Sequence, residues 1–150
     1  MRTVLFWDAR TGEPLTGPDQ RITPISATSG NVTSDGKRLA AADKQTATVY
    51  DASSRDEPLT EPMTHQGAIT SVRFSSDAQR VLTTSDDRTA RVWDARTGQP
   101  VTEPLRHAGS VANGQFSVDG KYLLTASADK TARIWEIPRV SSRVPAWLPK

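Results

Sequence analysis

The chain has 150 residues, of which 35% are hydrophobic and 24% charged, with no cysteine and a net charge of +2 from 19 basic against 17 acidic residues. That length suffices for one ordinary domain, and the missing cysteines exclude disulfides, thiolate metal sites and thiol nucleophiles. No apolar run approaches the ~20 residues of a membrane helix, and Arg and Lys are dispersed rather than clustered among stacking aromatics, which argues against nucleic acid as a partner.

Arg2 to Pro18 reads R-T-V-L-F-W-D-A-R-T-G-E-P-L-T-G-P, and this stretch recurs. A worn copy, T-A-T-V-Y-D-A, lies at Thr46 to Ala52. The fullest copy runs from Asp87 to Leu105, D-R-T-A-R-V-W-D-A-R-T-G-Q-P-V-T-E-P-L, and a last one, D-K-T-A-R-I-W-E-I, from Asp129 to Ile137. Their aromatic residues, Trp7, Tyr50, Trp93 and Trp135, are spaced by 43, 43 and 42 residues. A fixed period in the low forties is the signature of a repeat architecture. One such repeat cannot bury its apolar faces alone and leans on its neighbours. Met1 to Phe6 belongs to the first copy and is too short for a signal peptide, so a cytoplasmic protein is expected.

Each period has one internal order. After the aromatic residue and its acidic neighbour comes a turn, Ala95-Arg96-Thr97-Gly98, whose glycine suits a positive φ. Pro100-Val101-Thr102-Glu103-Pro104 follows, and its prolines predict an outer, edge-type strand. His107-Ala108-Gly109 leads into an apolar stretch ending in Phe116-Ser117-Val118-Asp119-Gly120-Lys121, where Asp-Gly signals a hairpin. A strand over Tyr122 to Ser127, a tight turn at Ala128 to Lys130 and a strand over Thr131 to Trp135 close the unit. The pattern predicts an antiparallel meander of four short strands, packed between neighbours on both faces.

The expected division is a half repeat at 1–18, a degenerate repeat at 19–57, clean repeats at 58–99 and 100–137, and a carboxy-terminal tail at 138–150. The degenerate repeat has Val32-Thr33-Ser34-Asp35 where the others read Phe74-Ser75-Ser76-Asp77 and Phe116-Ser117-Val118-Asp119. Val144-Pro145 in the tail lies near the offset of Val101-Thr102, which suits either a last outer strand or a cap.

The run H-x-G-x-(I/V)…F-S-x-D…S-x-D-x-T-x-x-(I/V)-W-(D/E) resembles the WD40 repeat, over nearly the whole span from Arg2 to about Ile137. The resemblance implies an all-β fold, a partial β-propeller of three antiparallel four-stranded blades after a leading half-blade. It also implies a hydrogen-bonded set of four residues in each blade: His65, Ser85, Asp87 and Trp93, then His107, Ser127, Asp129 and Trp135. The donor inventory supports such a set, because an indole N–H only donates, a hydroxyl and a neutral imidazole do both, and a carboxylate only accepts. Trp to Ser to His to Asp is then a complete donor chain, which a dry interior would strengthen. The first repeat has about Ile22, Ala42, Lys44 and Tyr50 at these places, with Asp43 one residue out of register, so no such set is expected there.

Ser, His and Asp are also the ingredients of an acyl-transfer triad. A hydrolase is the weaker reading, because neither Ser85 nor Ser127 sits in a nucleophile elbow and one active site does not explain two identical sets. No catalytic, cofactor-binding or metal-binding residue is assigned, and no cofactor is expected. The resemblance implies a non-catalytic scaffold for protein partners. Candidate partner-surface residues are Gln66, Ala68, Asp86, Arg88, Ser110, Ala128 and Lys130. The Thr-Gly-x-Pro linkers resemble bacterial-type repeats carried behind signalling domains, so the expected setting is the carboxy-terminal part of a larger propeller or multidomain signalling protein. The alternatives are a split or remnant gene product, or an incomplete ring, since propellers have 4–8 blades. Such a ring would self-associate head-to-tail through raw faces, with Val4, Leu5 and Phe6 at one end and Leu123, Leu124 and Ile134 at the other.

Overall fold

A computed structural model describes residues 9–12, 27–53 and 57–138. Among them are eleven strands and no helix. The strands are β1 (Ser29–Val32), β2 (Arg38–Asp43), β3 (Thr46–Asp51), β4 (Met63–Thr64), β5 (Ile69–Phe74), β6 (Arg80–Ser85), β7 (Thr89–Asp94), β8 (Leu105–Arg106), β9 (Val111–Phe116), β10 (Tyr122–Ser127) and β11 (Ala132–Glu136). They form three antiparallel sheets in chain order, β1 to β4, β5 to β8, and β9 to β11. The fold is all-β, and the three sheets are consistent with three WD40-type blades. Val4, Leu5 and Phe6 of the expected half-blade, Ile22 of the degenerate repeat, and the tail with Val144 to Leu148 lie outside the described residues.

The two larger cores sit between the sheets, as the two-sided apolar content of the strands requires, and a smaller cluster of Ala27, Leu39 and Ala41 lies on the first sheet. Successive side chains of β6 point to opposite faces. Val81 joins Ala40, Ala42, Val49 and Met63 of the first sheet in one buried cluster, together with Ile69, Val72 and Trp93. Leu82, Ala90 and Val92 turn the other way and meet Val111, Phe116 and Leu123 of the third sheet. Gly114 on β9 makes that second approach possible, since a Cβ there would lie 2.8 Å from Leu82 Cδ2. Leu123 is therefore an interior residue, 1% exposed, and not part of an open end as its apolar run suggested. Leu124 and Ile134 are exposed at that end, 48% and 74%.

The hairpins β1–β2, β5–β6 and β9–β10 share one turn. A hydroxyl donates to an aspartate Oδ1 at 2.6 Å in each: Thr33 to Asp35, Ser75 to Asp77, Ser117 to Asp119. The same carboxylates accept the amides of Lys37, Gln79 and Lys121 at 3.0 Å. Those bonds hold Asp35, Asp77 and Asp119 below the usual carboxylate range, the hydroxyl first among the causes. Thr33 does the work of Ser75 and Ser117, so the divergence of the first repeat spares this turn.

The outer strands differ from expectation. Pro100 makes only an isolated bridge to Trp93, and the regular outer strand is Leu105–Arg106, pairing with Thr89 and Ala90. Proline cannot donate to a ladder, and the side chain of Thr102 enters it instead: its Oγ1 accepts the Val92 amide at 3.2 Å. Thr60 repeats this at the Val49 amide, also at 3.2 Å.

Candidate functional site

His65 lies in the loop before β5, Asp87 in the β6–β7 hairpin and Trp93 on β7. Their meeting point is Thr83, on β6 and fully buried. Trp93 Nε1 donates to Thr83 Oγ1 at 2.8 Å, and Thr83 Oγ1 stands 2.6 Å from His65 Nε2. His65 Nδ1 is 2.8 Å from Asp87 Oδ2. The carboxylate only accepts, so Nδ1 carries the proton and Nε2 accepts from the threonine hydroxyl. The chain of donors runs Trp93, Thr83, His65, Asp87.

The hydroxyl in this relay is thus Thr83 and not Ser85. Ser85 Oγ accepts the Asp87 amide at 3.1 Å, bracing the hairpin that carries the carboxylate. The third sheet repeats the arrangement. Trp135 Nε1 donates to Thr125 Oγ1 at 2.9 Å, Thr125 lies 2.7 Å from His107 Nε2, and His107 Nδ1 is 3.2 Å from Asp129 Oδ2. Ser127 again accepts the amide of the aspartate, at 3.1 Å, and donates to the Gly109 carbonyl. In both copies serine and threonine are two residues apart on one strand and share a face. The recurrence of Thr at 83 and 125 was the available signal.

Burial sets the protonation of the relay. Desolvation pushes His65 below its ordinary value, and hydrogen bonding and charge from Asp87 only partly oppose it. Burial alone would raise Asp87, but hydrogen bonds from Thr89, His65 and the Gln66 amide outweigh it and leave the carboxyl below its usual range. Asp129 is held well below that range, with the Thr131 hydroxyl the largest cause. Both threonines sit two residues after their aspartate and bond Oδ1, at 2.6 Å from Thr89 and 2.5 Å from Thr131. The glycine of each His-x-Gly lets the loop lie on the hairpin: a Cβ on Gly67 would come 2.6 Å from the Asp87 amide nitrogen, and on Gly109 2.8 Å from that of Asp129.

The first sheet has no relay among the described residues. Leu39 pairs with Tyr50 as Val81 pairs with Trp93, so Ala41, two residues further along β2, stands where Thr83 stands. Two residues join β2 to β3, against three between β6 and β7. By the same pairing Asp43 stands where Ser85 stands, not where Asp87 does. The sequence alignment on Ala42 and Lys44 is off by that one residue.

The relay hydroxyls are hydrogen-bonded on both sides, and Ser85 is fully buried with its oxygen accepting the Asp87 amide. What the arrangement does is pin the His loops to the hairpins beside them. The candidate surface residues line that same edge. Gln66, Ala68, Asp86, Arg88, Ala128 and Lys130 are exposed, and Ser110 is half-buried. Ser110 Oγ donates to Asp86 Oδ1 at 2.5 Å, joining the third sheet to the second. Arg88 and Lys130 hold equivalent positions with φ of 71° and 68°. Gln45 of the first sheet reaches the Gln66 carbonyl at 3.3 Å, which makes the edge continuous across all three sheets. No helix among the described residues is long and apolar enough to cross a membrane.

Among curated proteins the chain is similar to the target of rapamycin complex subunit LST8 of Saccharomyces cerevisiae, 32% identical over 63% of this chain and 31% of that one. It is also similar to LST8-1 of Arabidopsis thaliana, 35% identical over 63% and 30% of the two chains. A guanine nucleotide-binding protein subunit beta of Oryza sativa is 28% identical over 65% and 27%. The chain thus spans less than a third of the length of these relatives. They are eukaryotic, and lend no support to a bacterial type of repeat. The family described as WD domain, G-beta repeat matches residues 56–94 and 98–136. Those two matches cover just over half of the sequence, each contains one of the two relays, and the chain belongs to the WD40 family.

Proposed function

We propose that the chain is a non-catalytic protein-interaction scaffold of the cytoplasm, contributing blades to a larger propeller or a multidomain signalling protein. One observation carries this reading. Every titratable group of both relays is engaged internally, while the hairpin ends those relays brace remain exposed. A rigid, polar, exposed edge with its chemistry tied inward is suited to binding rather than turnover. The names of the relatives agree, since a target of rapamycin complex subunit and a G-protein beta subunit are components of protein assemblies. The contact residues are Gln66, Ala68, Asp86, Arg88, Ser110, Ala128 and Lys130.

The test is affinity capture from extracts of the source cells, read by quantitative mass spectrometry. The wild-type chain is compared with an Ala68→Arg/Arg88→Glu variant and with a control, Leu59→Lys, exposed elsewhere. Specific proteins lost only with the double variant, at unchanged melting temperature, are the expected result. Identical captured sets sink the assignment of the edge. Ester or peptide turnover that vanishes with Ser85→Ala would sink the non-catalytic role itself.

A further inference from the structure

Four described residues other than glycine have left-handed backbone, and three of them are cations. Lys44, Arg88 and Lys130 have φ of 51°, 71° and 68°, and the fourth is Ala78. Each cation lies in the hairpin that joins the second strand of its sheet to the third. The three sheets thus present one apiece along the edge that the relays brace. Side chains are disfavoured at such φ, and Gly36 and Gly120 take that role in hairpins of the opposite edge. Backbone held in a sparsely populated region clusters at ligand clamps.

The fold makes no use of these three charges. All three residues are exposed. Among the described residues the ion pairs are His65 with Asp87, His107 with Asp129 and Arg133 with Asp129, so none of the three lies within 4.0 Å of a carboxylate. Arginines that serve the fold behave otherwise: Arg38, Arg80 and Arg133 donate to the carbonyls of Ala78, Pro138 and Arg106. The acids of this edge are occupied or turned away. Asp87 and Asp129 accept from the histidines and the amides of Gln66 and Ala108. Asp43 is half-buried on the side of Ala41, away from the second sheet. Asp86, the one exposed carboxylate of the edge among the described residues, accepts the Ser110 hydroxyl.

The far ends of β3, β7 and β11 carry Asp51, Asp94 and Glu136. Each of these strands is therefore positive at the relay edge and negative roughly 20 Å away, at about 3.3 Å per residue. A field of that form draws an anionic segment to one edge and turns it from the other. Packed sheets lie about 10 Å apart, so the cations recur at about that step. A polyproline II segment rises about 3.1 Å per residue with three residues per turn. Every third side chain of such a segment then falls on one side, about 9 Å from the last.

We propose that this edge takes an extended acidic segment of a protein partner, whose carboxylates at every third position meet Lys44, Arg88 and Lys130 in turn. The proposal rests on the scaffold reading, names the chemistry of its partner and adds Lys44 to the contact residues.

Fluorescence anisotropy with a labelled peptide of three Glu-Pro-Pro repeats tests this, at low ionic strength where exposed charges are least screened. The wild-type chain is expected to bind. Each of Lys44→Asn, Arg88→Asn and Lys130→Asn should weaken binding about two- to fivefold, and the triple variant should lose it. Asparagine tolerates left-handed backbone, so the triple variant is expected to melt no lower than the wild type. Lys37→Asn/Lys121→Asn, which removes two exposed cations from the opposite edge, should leave affinity unchanged. A peptide of the same composition with adjacent glutamates should bind more weakly. Absent binding, a lower melt of the triple variant, equal loss with the opposite-edge variant, or indifference to glutamate spacing each overturns the proposal. Proteins captured from extracts through this edge but not displaced by the Glu-Pro-Pro peptide would sink the acidic partner and leave the scaffold standing.

Discussion

Replacing Thr83 by Val removes one oxygen from the centre of the second sheet's relay while keeping the shape of the side chain. Thr83 is fully buried, so water does not substitute for it. The indole N–H of Trp93, now 2.8 Å from that oxygen, is left without an acceptor, and His65 Nε2, 2.6 Å away, without a donor. Each buried group stranded in this way costs about 1–3 kcal/mol, so the pair amounts to about 2–6 kcal/mol. For a chain of this size that corresponds to a melting point lower by roughly 4–24 °C. Ser85→Ala gives the contrast. It deletes a single acceptor, that of the Asp87 amide at 3.1 Å, and is expected to cost about 1 kcal/mol. Thr83→Ser keeps the hydroxyl and loses a methyl, at about 1 kcal/mol. Urea titrations followed by tryptophan fluorescence rank the three. A loss for Ser85→Ala as large as that for Thr83→Val refutes the threonine-centred relay. In the third sheet Trp135 is only half-buried, so Thr125→Val should cost less than Thr83→Val.

Stability should fall in two steps as pH is lowered. His65 is depressed below 6.5 in the folded chain, so below that pH the unfolded chain takes up a proton that the folded one refuses, and stability is lost as pH falls toward the folded value. A second loss begins below 3.8, where Asp87 and Asp129 stay ionised in the folded chain but protonate in the unfolded one. Melts from about pH 7.5 to about pH 3 check this, and rising stability on first acidification contradicts it. Ala78 adopts φ of 56° in the turn where its equivalents are Gly36 and Gly120. Ala78→Gly relieves a left-handed alanine, ~1–2 kcal/mol, against about 0.5–1 kcal/mol of added chain entropy, and should raise stability by up to about 1 kcal/mol in denaturant titration. Gly67→Ala drives a Cβ toward the rigid Asp87 amide and should cost about 1–3 kcal/mol, read the same way; a neutral result would mean that the His loop is free to lift off the hairpin.

Much of this was legible in the repeat spacing, because a blade's strands and turns recur at fixed offsets and two clean copies check each other. His65, Asp87 and Trp93 stand out for the same reason. Thr83 did not, because Ser85 shares its face two residues on, and only the pairing of Val81 with Trp93 decides which hydroxyl the indole reaches. Asp43 was aligned one residue from the place of Asp87, and only the register of β2 on β3 puts it at the place of Ser85. The outer strand was placed too early because a hydroxyl standing in for a ladder group, as Thr60 and Thr102 do, leaves no periodicity to read. Leu123 and Leu124 are adjacent and equally apolar in sequence, and strand alternation alone sends one into a core and the other to the surface.

The two larger cores lie between sheets, so neither the second nor the third sheet contains a hydrophobic interior of its own. The unit that melts is therefore a gap and not a blade, and the repeat boundaries at 57/58 and 99/100 are poor places to cut the chain. Severing it there divides one set of packed side chains between two products and leaves each half facing water. β6 is walled on both faces, so its amides should exchange with solvent last. Protection should decline outward from it in both directions, as in a stack of plates whose middle member is held from either side.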